Sequence, residues 1–151
     1  MAGRGRLECA AGGLVASARI YRVILPVSDL ERATQFYQQL LNDSGVRISP
    51  GRHYFDCGGV ILAIYEPSAD GDRAEPRPNF EHTYFAVENL DDVFGRAQRL
   101  GVLSTRTGDG GLPMGAIAKR PWGERSFYLN DPAGNPLCFV DEQTLFTAGR
   151  R

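Results

Sequence analysis

The feature that most constrains this chain is a repeat. Shifted by sixty residues, the segment Arg22–Leu30 (RVILPVSDL) lies over His82–Leu90 (HTYFAVENL). Val27 then meets Val87, Leu30 meets Leu90, and Leu40 meets Leu100. Identities are few, but apolar and polar positions agree. Self-similarity at a fixed offset marks a supersecondary unit used twice, each copy relying on the other to cover its apolar face.

Each copy opens with an alternating segment. Tyr21, Val23, Leu25 and Val27 point one way, and Arg22, Ile24 and Pro26 the other, the period of a strand. A helix start follows. Ser28-Asp29-Leu30-Glu31 has the form of a capping box, with Glu31 reaching back to the cap. Asn89 opens the second helix, with Asp91 and Asp92 where the helix dipole favours negative charge. Leu30, Ala33, Phe36, Tyr37, Leu40 and Leu41 in the first helix, and Leu90, Val93, Phe94, Ala97 and Leu100 in the second, repeat every three or four residues. Gly45 and Gly101 suit helix ends.

Strand-like segments come next: Val46–Ser49, His53–Cys57 and Val60–Tyr65, then Leu103–Thr107, Gly115–Arg120, Arg125–Leu129 and Pro136–Asp141. Turn residues separate them, such as Gly58-Gly59 and the run Asp131 to Asn135. The expected class is therefore α+β, built from two βαβββ modules. Residues 19–66 form the first module and 80–142 the second. Residues 67–79, rich in proline, glycine and charge, link them. Residues 1–18 read as a disordered leader, and 143–151 as a fraying tail.

A chain of 151 residues has the length of one domain and can bury a core without disulfides. Its net charge of −1, with no basic block, argues against nucleic acid as a partner. No apolar run reaches the ~18 residues of a membrane span. Cys9, Cys57 and Cys138 are odd in number and widely spaced, so they read as free thiols in a reducing cytoplasm.

The string Ile24 to Ala33 (ILPVSDLERA), with Phe36-Tyr37 and Leu40-Leu41, resembles the opening of glyoxalase, bleomycin-resistance and extradiol-dioxygenase proteins, the vicinal-oxygen-chelate superfamily. Trp122 to Asn135 (WGERSFYLNDPAGN) resembles the closing motif of that superfamily. The resemblance covers about residues 19–142. It implies an open eight-stranded cup with helices outside, a small-molecule ligand on the inner face, and frequent homodimers.

Metal-dependent members place His or Glu on the first and last strand of each module. Carried over, those positions offer Arg22, Leu62 (or Ala63 if the register slips by one), His82 and Cys138. Arginine is always cationic and cannot ligate, and a cysteine replaces a hard carboxylate. Glu66 and Glu142 share parity with Leu62 and Cys138 but stand about 13 Å along the strand. One matching ligand in four does not make the site, so no metal and no cofactor is expected. His53 with Cys57 or Cys138 would be a nucleophile–base pair, but no orienting third group is evident.

In the similar fosfomycin-resistance transferases a Ser-x-Tyr before the last ligand faces the substrate, which here implies Ser126 and Tyr128. Tyr84 shares parity with His82, and Trp122 sits at the expected rim. The candidate ligand-binding set is Arg22, His82, Tyr84, Trp122, Ser126, Tyr128 and Cys138, an aromatic lining with one fixed cation. Three functions fit: a metal-free binder of an aromatic or anionic small molecule; a glyoxalase- or dioxygenase-type enzyme, or a thiol transferase; and a structural or partner-binding domain.

Overall fold

The computed structural model describes residues 17–146, so most of the leader expected at 1–18, and the end of the tail, lie outside the described residues. The first module runs β1 (Arg22–Pro26), α1 (Leu30–Leu41), β2 (Val46–Ser49), β3 (Arg52–Cys57) and β4 (Val60–Tyr65). The second runs β5 (Thr83–Val87), α2 (Leu90–Leu100), β6 (Ala118–Lys119), β7 (Arg125–Asn130) and β8 (Pro136–Asp141). The fold is α+β, with two open four-stranded sheets in the orders β1-β4-β3-β2 and β5-β8-β7-β6. In each sheet the first strand pairs parallel with the last, and the remaining pairs are antiparallel.

The alternation read from the sequence sets the faces. Leu25 and Val27 are buried on the helix side, and Arg22 and Ile24 are exposed on the other. One core cluster unites the helix-side residues of both modules, among them Tyr37, Phe55, Leu62, Ile64, Phe127, Leu137 and Phe139. Because Val23 pairs with Leu62 and Ile24 with Ala63, it is Ala63 that shares the open face with Arg22. Leu62 lies in the core.

Local details differ from the sequence expectation in four places. The cap of α1 is Asp29, whose carboxylate accepts from Arg32 N at 3.1 Å. Glu31 does not reach back; it pairs with Arg47 at 2.8 Å, and Glu66 accepts from Leu30 N instead. The same helix ends on Asn42 in the left-handed region (φ 53), ahead of Gly45. Asn89 and Gly101 cap α2 as expected. Residues 103–107 form no strand: Leu103 bridges to Leu129 and Thr107 to Pro113 singly. The strand expected over 115–120 shrinks to Ala118–Lys119, because the carbonyls of Pro113 and Ala116 face the Arg120 guanidinium rather than a neighbouring strand. In the segment between the sheets, Pro67–Asp70 forms a short 3-10 turn, and Asp70 accepts from Ser49 Oγ, Gly51 N and Arg52.

Polar contacts tie the modules together at the turn before β8. Buried Asp131 accepts from Tyr37 OH at 2.7 Å, from the backbone N–H of Ala133 and Asn135, and from Asn135 Nδ2. Asn135 Nδ2 also donates to Pro26 O at 2.8 Å, and Asn79 Nδ2 donates to Ile24 O. Burial, then the Asp131 charge, holds the Tyr37 hydroxyl well above its ordinary pKa, so it remains a donor. The closing motif noticed in the sequence is thus the joint between modules.

Candidate functional site

The open face of the second sheet gathers the aromatic candidates. Tyr84 pairs across the ladder with Cys138, and Cys138 with Tyr128, so the three stand side by side on β5, β8 and β7. His82, just ahead of β5, lies with its ring 5.0 Å from that of Tyr128, edge on. The Tyr84 and Tyr128 rings meet at 6.4 Å, nearly perpendicular. Tyr84 is 55% exposed, whereas Tyr128 and Cys138 are buried. The result is a floor of thiol and phenol with one projecting tyrosine.

Two cavities flank this cluster. One, of about 320 Å³, is lined by His82, Tyr128, Ser104, Arg106, Met114 and Phe80, among others. The other, of about 360 Å³, lies between Tyr84, Trp122, Glu124, Val140 and Leu145. Trp122 sits in the turn before β7 and donates through Nε1 to Glu124 at 3.0 Å.

Packed against the Tyr128 ring lies a residue that sequence reasoning missed. Arg120 is 4% exposed, yet among the described residues no carboxylate pairs with it. Its guanidinium donates to Ser126 Oγ and to the carbonyls of Pro113, Met114, Ala116 and Ser126, and stacks 5.1 Å from the Tyr128 ring centre. A buried charge is tolerable only when its donors are met, and here neutral oxygens meet them. The positive charge itself is left uncancelled next to Tyr128. Nothing local in the sequence distinguishes Arg120 from any arginine before a proline.

The titrating groups follow from this packing. Burial pushes the Cys138 thiol up to about 11, against the opposing hydrogen bonds of Ser126 and Tyr128. Burial, the proximity of Cys138 and the hydrogen bond to Tyr84 push the Tyr128 phenol well above its ordinary value. Burial draws the His82 imidazole down, only partly offset by Glu81. At neutral pH His82, Tyr128 and Cys138 therefore present an uncharged imidazole, phenol and thiol, which bind by stacking and hydrogen bonding.

Arg22 stands apart, exposed on the open face of the first sheet, with its guanidinium 5.0 Å from the Tyr21 ring centre and 5.5 Å from that of Tyr54. Neither Arg22 nor Ala63 has a lone pair to offer a metal. Among the described residues no three His, Cys, Asp or Glu side chains come together to hold an ion. The donor set of the metal-dependent relatives does not fit here. His53 is buried below the first sheet, with Nδ1 facing Arg47 and Nε2 facing Ser44 O, so it serves neither cysteine as a base.

Known proteins match this arrangement. A family model for the glyoxalase/bleomycin resistance protein/dioxygenase superfamily matches residues 19–139. A bleomycin resistance protein of Geobacillus stearothermophilus is 25% identical over 130 residues, covering 78% of this chain and 92% of the relative. The metallothiol transferase FosB of Shouchella clausii is 27% identical over 120 residues, covering 78% of this chain and 76% of its own. Among solved structures, a glyoxalase/bleomycin resistance protein from Albidiferax ferrireducens T118 superposes with a TM-score of 0.62 at 22% identity, covering 81% of this chain and 97% of that one. The lactoylglutathione lyase of Agrobacterium tumefaciens gives 0.59 at 24% identity, covering 83% and 94%. At those identities the structures speak for the fold alone. With the matched region spanning both modules, the chain belongs to the glyoxalase/bleomycin resistance protein/dioxygenase superfamily.

Proposed function

We propose that this protein binds a small aromatic molecule bearing an anionic group, without a metal, on the open face of the second sheet. The observation that carries the reading is the His82–Tyr84–Tyr128 cluster with the carboxylate-free charge of Arg120 packed against the Tyr128 ring. Edge-on rings leave room for a third aromatic plane against Tyr84, worth about 0.5–1.5 kcal/mol beyond burial. Arg106 at the rim of the neighbouring cavity supplies a solvent-facing cation. Ser126 and Cys138 complete the floor, Trp122 the rim, and Arg22 is the cation of the first sheet's open face. The likeness to bleomycin resistance proteins supports sequestration rather than turnover. A thiol pushed up to about 11 at Cys138 is a poor nucleophile at neutral pH, which supports the same reading.

The protein acts in this proposal as a homodimer in a reducing cytoplasm. Ile24, Ala63, Tyr54 and Val46 form one row across the open face of the first sheet. Ile24 and Val46 in that row are 49% and 62% exposed, and nearby Ile48 is 52% exposed. Exposed apolar rows of this kind mark association surfaces. No helix among the described residues is long and apolar enough to cross a membrane.

The test is a titration of Trp122 fluorescence with aromatic carboxylates, aromatic phosphates and bleomycin, alongside elemental analysis after incubation with manganese, iron, nickel and zinc. Binding with no retained metal, weakened at least ten-fold by Tyr84→Ala, is the expected result. One equivalent of tightly held metal per chain, or unchanged affinity in Tyr84→Ala, refutes the proposal.

A further inference from the structure

A larger cavity lies on the other side of β5 and meets the open-face site only along that strand, where Tyr84, Phe85 and Ala86 border both. Of about 660 Å³, it opens where the edge strands β1 and β5 diverge, on the helix side of both sheets. Its walls are Val23, Leu41 and Leu62 from the first module and Phe85, Val87 and Phe139 from the second. The Phe85 and Phe139 rings stack at 4.8 Å and make an aromatic wall. Asp43 and Asp56 stand at its mouth beside Cys57.

Two features say what it would accept. The volume and lining match those of small-molecule pockets, which are mostly apolar with a few placed polar groups. Thr83 and Tyr84 add hydroxyls to the lining, and the only charged groups in it are the carboxylates of Asp43 and Asp56. Each holds a turn, Asp43 accepting from Gly45 N at 3.0 Å and Asp56 from Gly59 N at 2.8 Å. Neither has a basic partner among the described residues. Their negative field reaches the cavity: after burial, the charges of Asp43 and Asp56 are what push the Cys57 thiol up to about 11.

We infer that this junction cavity is a second binding site, for a lipophilic monocation whose apolar body lies against Phe85 and Leu62 and whose ammonium group meets Asp43 and Asp56. The site touches the open-face cluster through Tyr84 but its argument does not rest on that proposal.

Cys57 reports on this cavity and Trp122 on the open face, so one experiment separates the two sites. The full-length protein is incubated with octyltrimethylammonium, octanol or octyl sulfate, each below micelle formation. Modification of Cys57 by methyl methanethiosulfonate is followed by peptide mass spectrometry, with Trp122 fluorescence read in parallel. Octyltrimethylammonium is expected to slow Cys57 modification at least ten-fold, octanol to bind about ten-fold more weakly, and octyl sulfate not to protect. The double variant Asp43→Asn, Asp56→Asn keeps the acceptor oxygens of both turns and should bring the cation down to the affinity of octanol. Equal protection by all three probes overturns the assignment of a cation. No protection by any overturns the site. Cys57 that is already shielded, and becomes reactive on removal of residues 1–16 or on dilution, means that the chain itself or a second copy fills the cavity, which also overturns it. Probes that move Trp122 while leaving Cys57 untouched refute this site and leave the open-face proposal standing.

Discussion

Replacing Asp131 with alanine should destabilise this protein by far more than one lost contact. The carboxylate is 5% exposed and accepts from Tyr37 OH, from the N–H of Ala133 and Asn135, and from Asn135 Nδ2. Asn135 Nδ2 keeps Pro26 O, and the N–H of Ala133 is partly exposed. The Tyr37 hydroxyl and the Asn135 N–H are left buried without an acceptor. At about 1–3 kcal/mol for each stranded donor, the loss is about 4 kcal/mol. Tyr37→Phe removes one donor and leaves the carboxylate its others, so it should cost about 2 kcal/mol. The double variant strands only the Asn135 N–H and should cost about 2 kcal/mol in all, about 4 kcal/mol less than the sum of the singles. Urea denaturation at pH 7, followed by circular dichroism with a common slope, measures all three. A cost below about 1 kcal/mol for Asp131→Ala, the range of surface changes, or strict additivity with Tyr37→Phe, would refute the idea that this turn is the joint between modules.

Three further outcomes follow from the same packing. Arg120→Lys puts one ammonium where a guanidinium reaches five oxygens, so it should cost about 2–4 kcal/mol and speed amide hydrogen exchange over residues 113–117; wild-type exchange there would contradict the assigned role. The imidazole of His82, drawn down by burial, should titrate by NMR with a midpoint below 6.5. The folded state resists that proton, so the small stability the neutral ring contributes is present above pH 6.5 and lost as pH falls through the folded midpoint; a midpoint above 6.5 would show an acidic neighbour prevailing over burial. Gly101→Ala places a side chain at φ 71 where no atom would obstruct it, so backbone strain alone should lower stability by about 1 kcal/mol in the same urea assay.

Much of the candidate site could be read from the chain, because a strand alternates with period two and the sixty-residue repeat placed both modules in register. Parity put Tyr84 with His82, the family resemblance put Ser126 and Tyr128 ahead of Cys138, and the ladder sets Tyr84, Cys138 and Tyr128 side by side on one face. Parity could not choose between Leu62 and Ala63, since that turns on which residue of β4 meets Ile24. Nor could it choose the cap of α1. Ser28-Asp29-Leu30-Glu31 fits the capping box, but Arg47 and Glu66, distant in sequence, claim Glu31 and the first amide of the helix.

The sequence by itself determined the class, two βαβββ units with one buried face each, and the aromatic character of the second sheet's open side. Those properties repeat locally, and local periodicity carries them. Only the tertiary structure decided that Arg120 lies buried against the Tyr128 ring, that Asp131 and Asn135 join residues as much as 109 positions apart, and that a cavity remains between the two modules. Each of these depends on which surfaces meet across the fold, and no repeat within a strand or helix encodes that meeting.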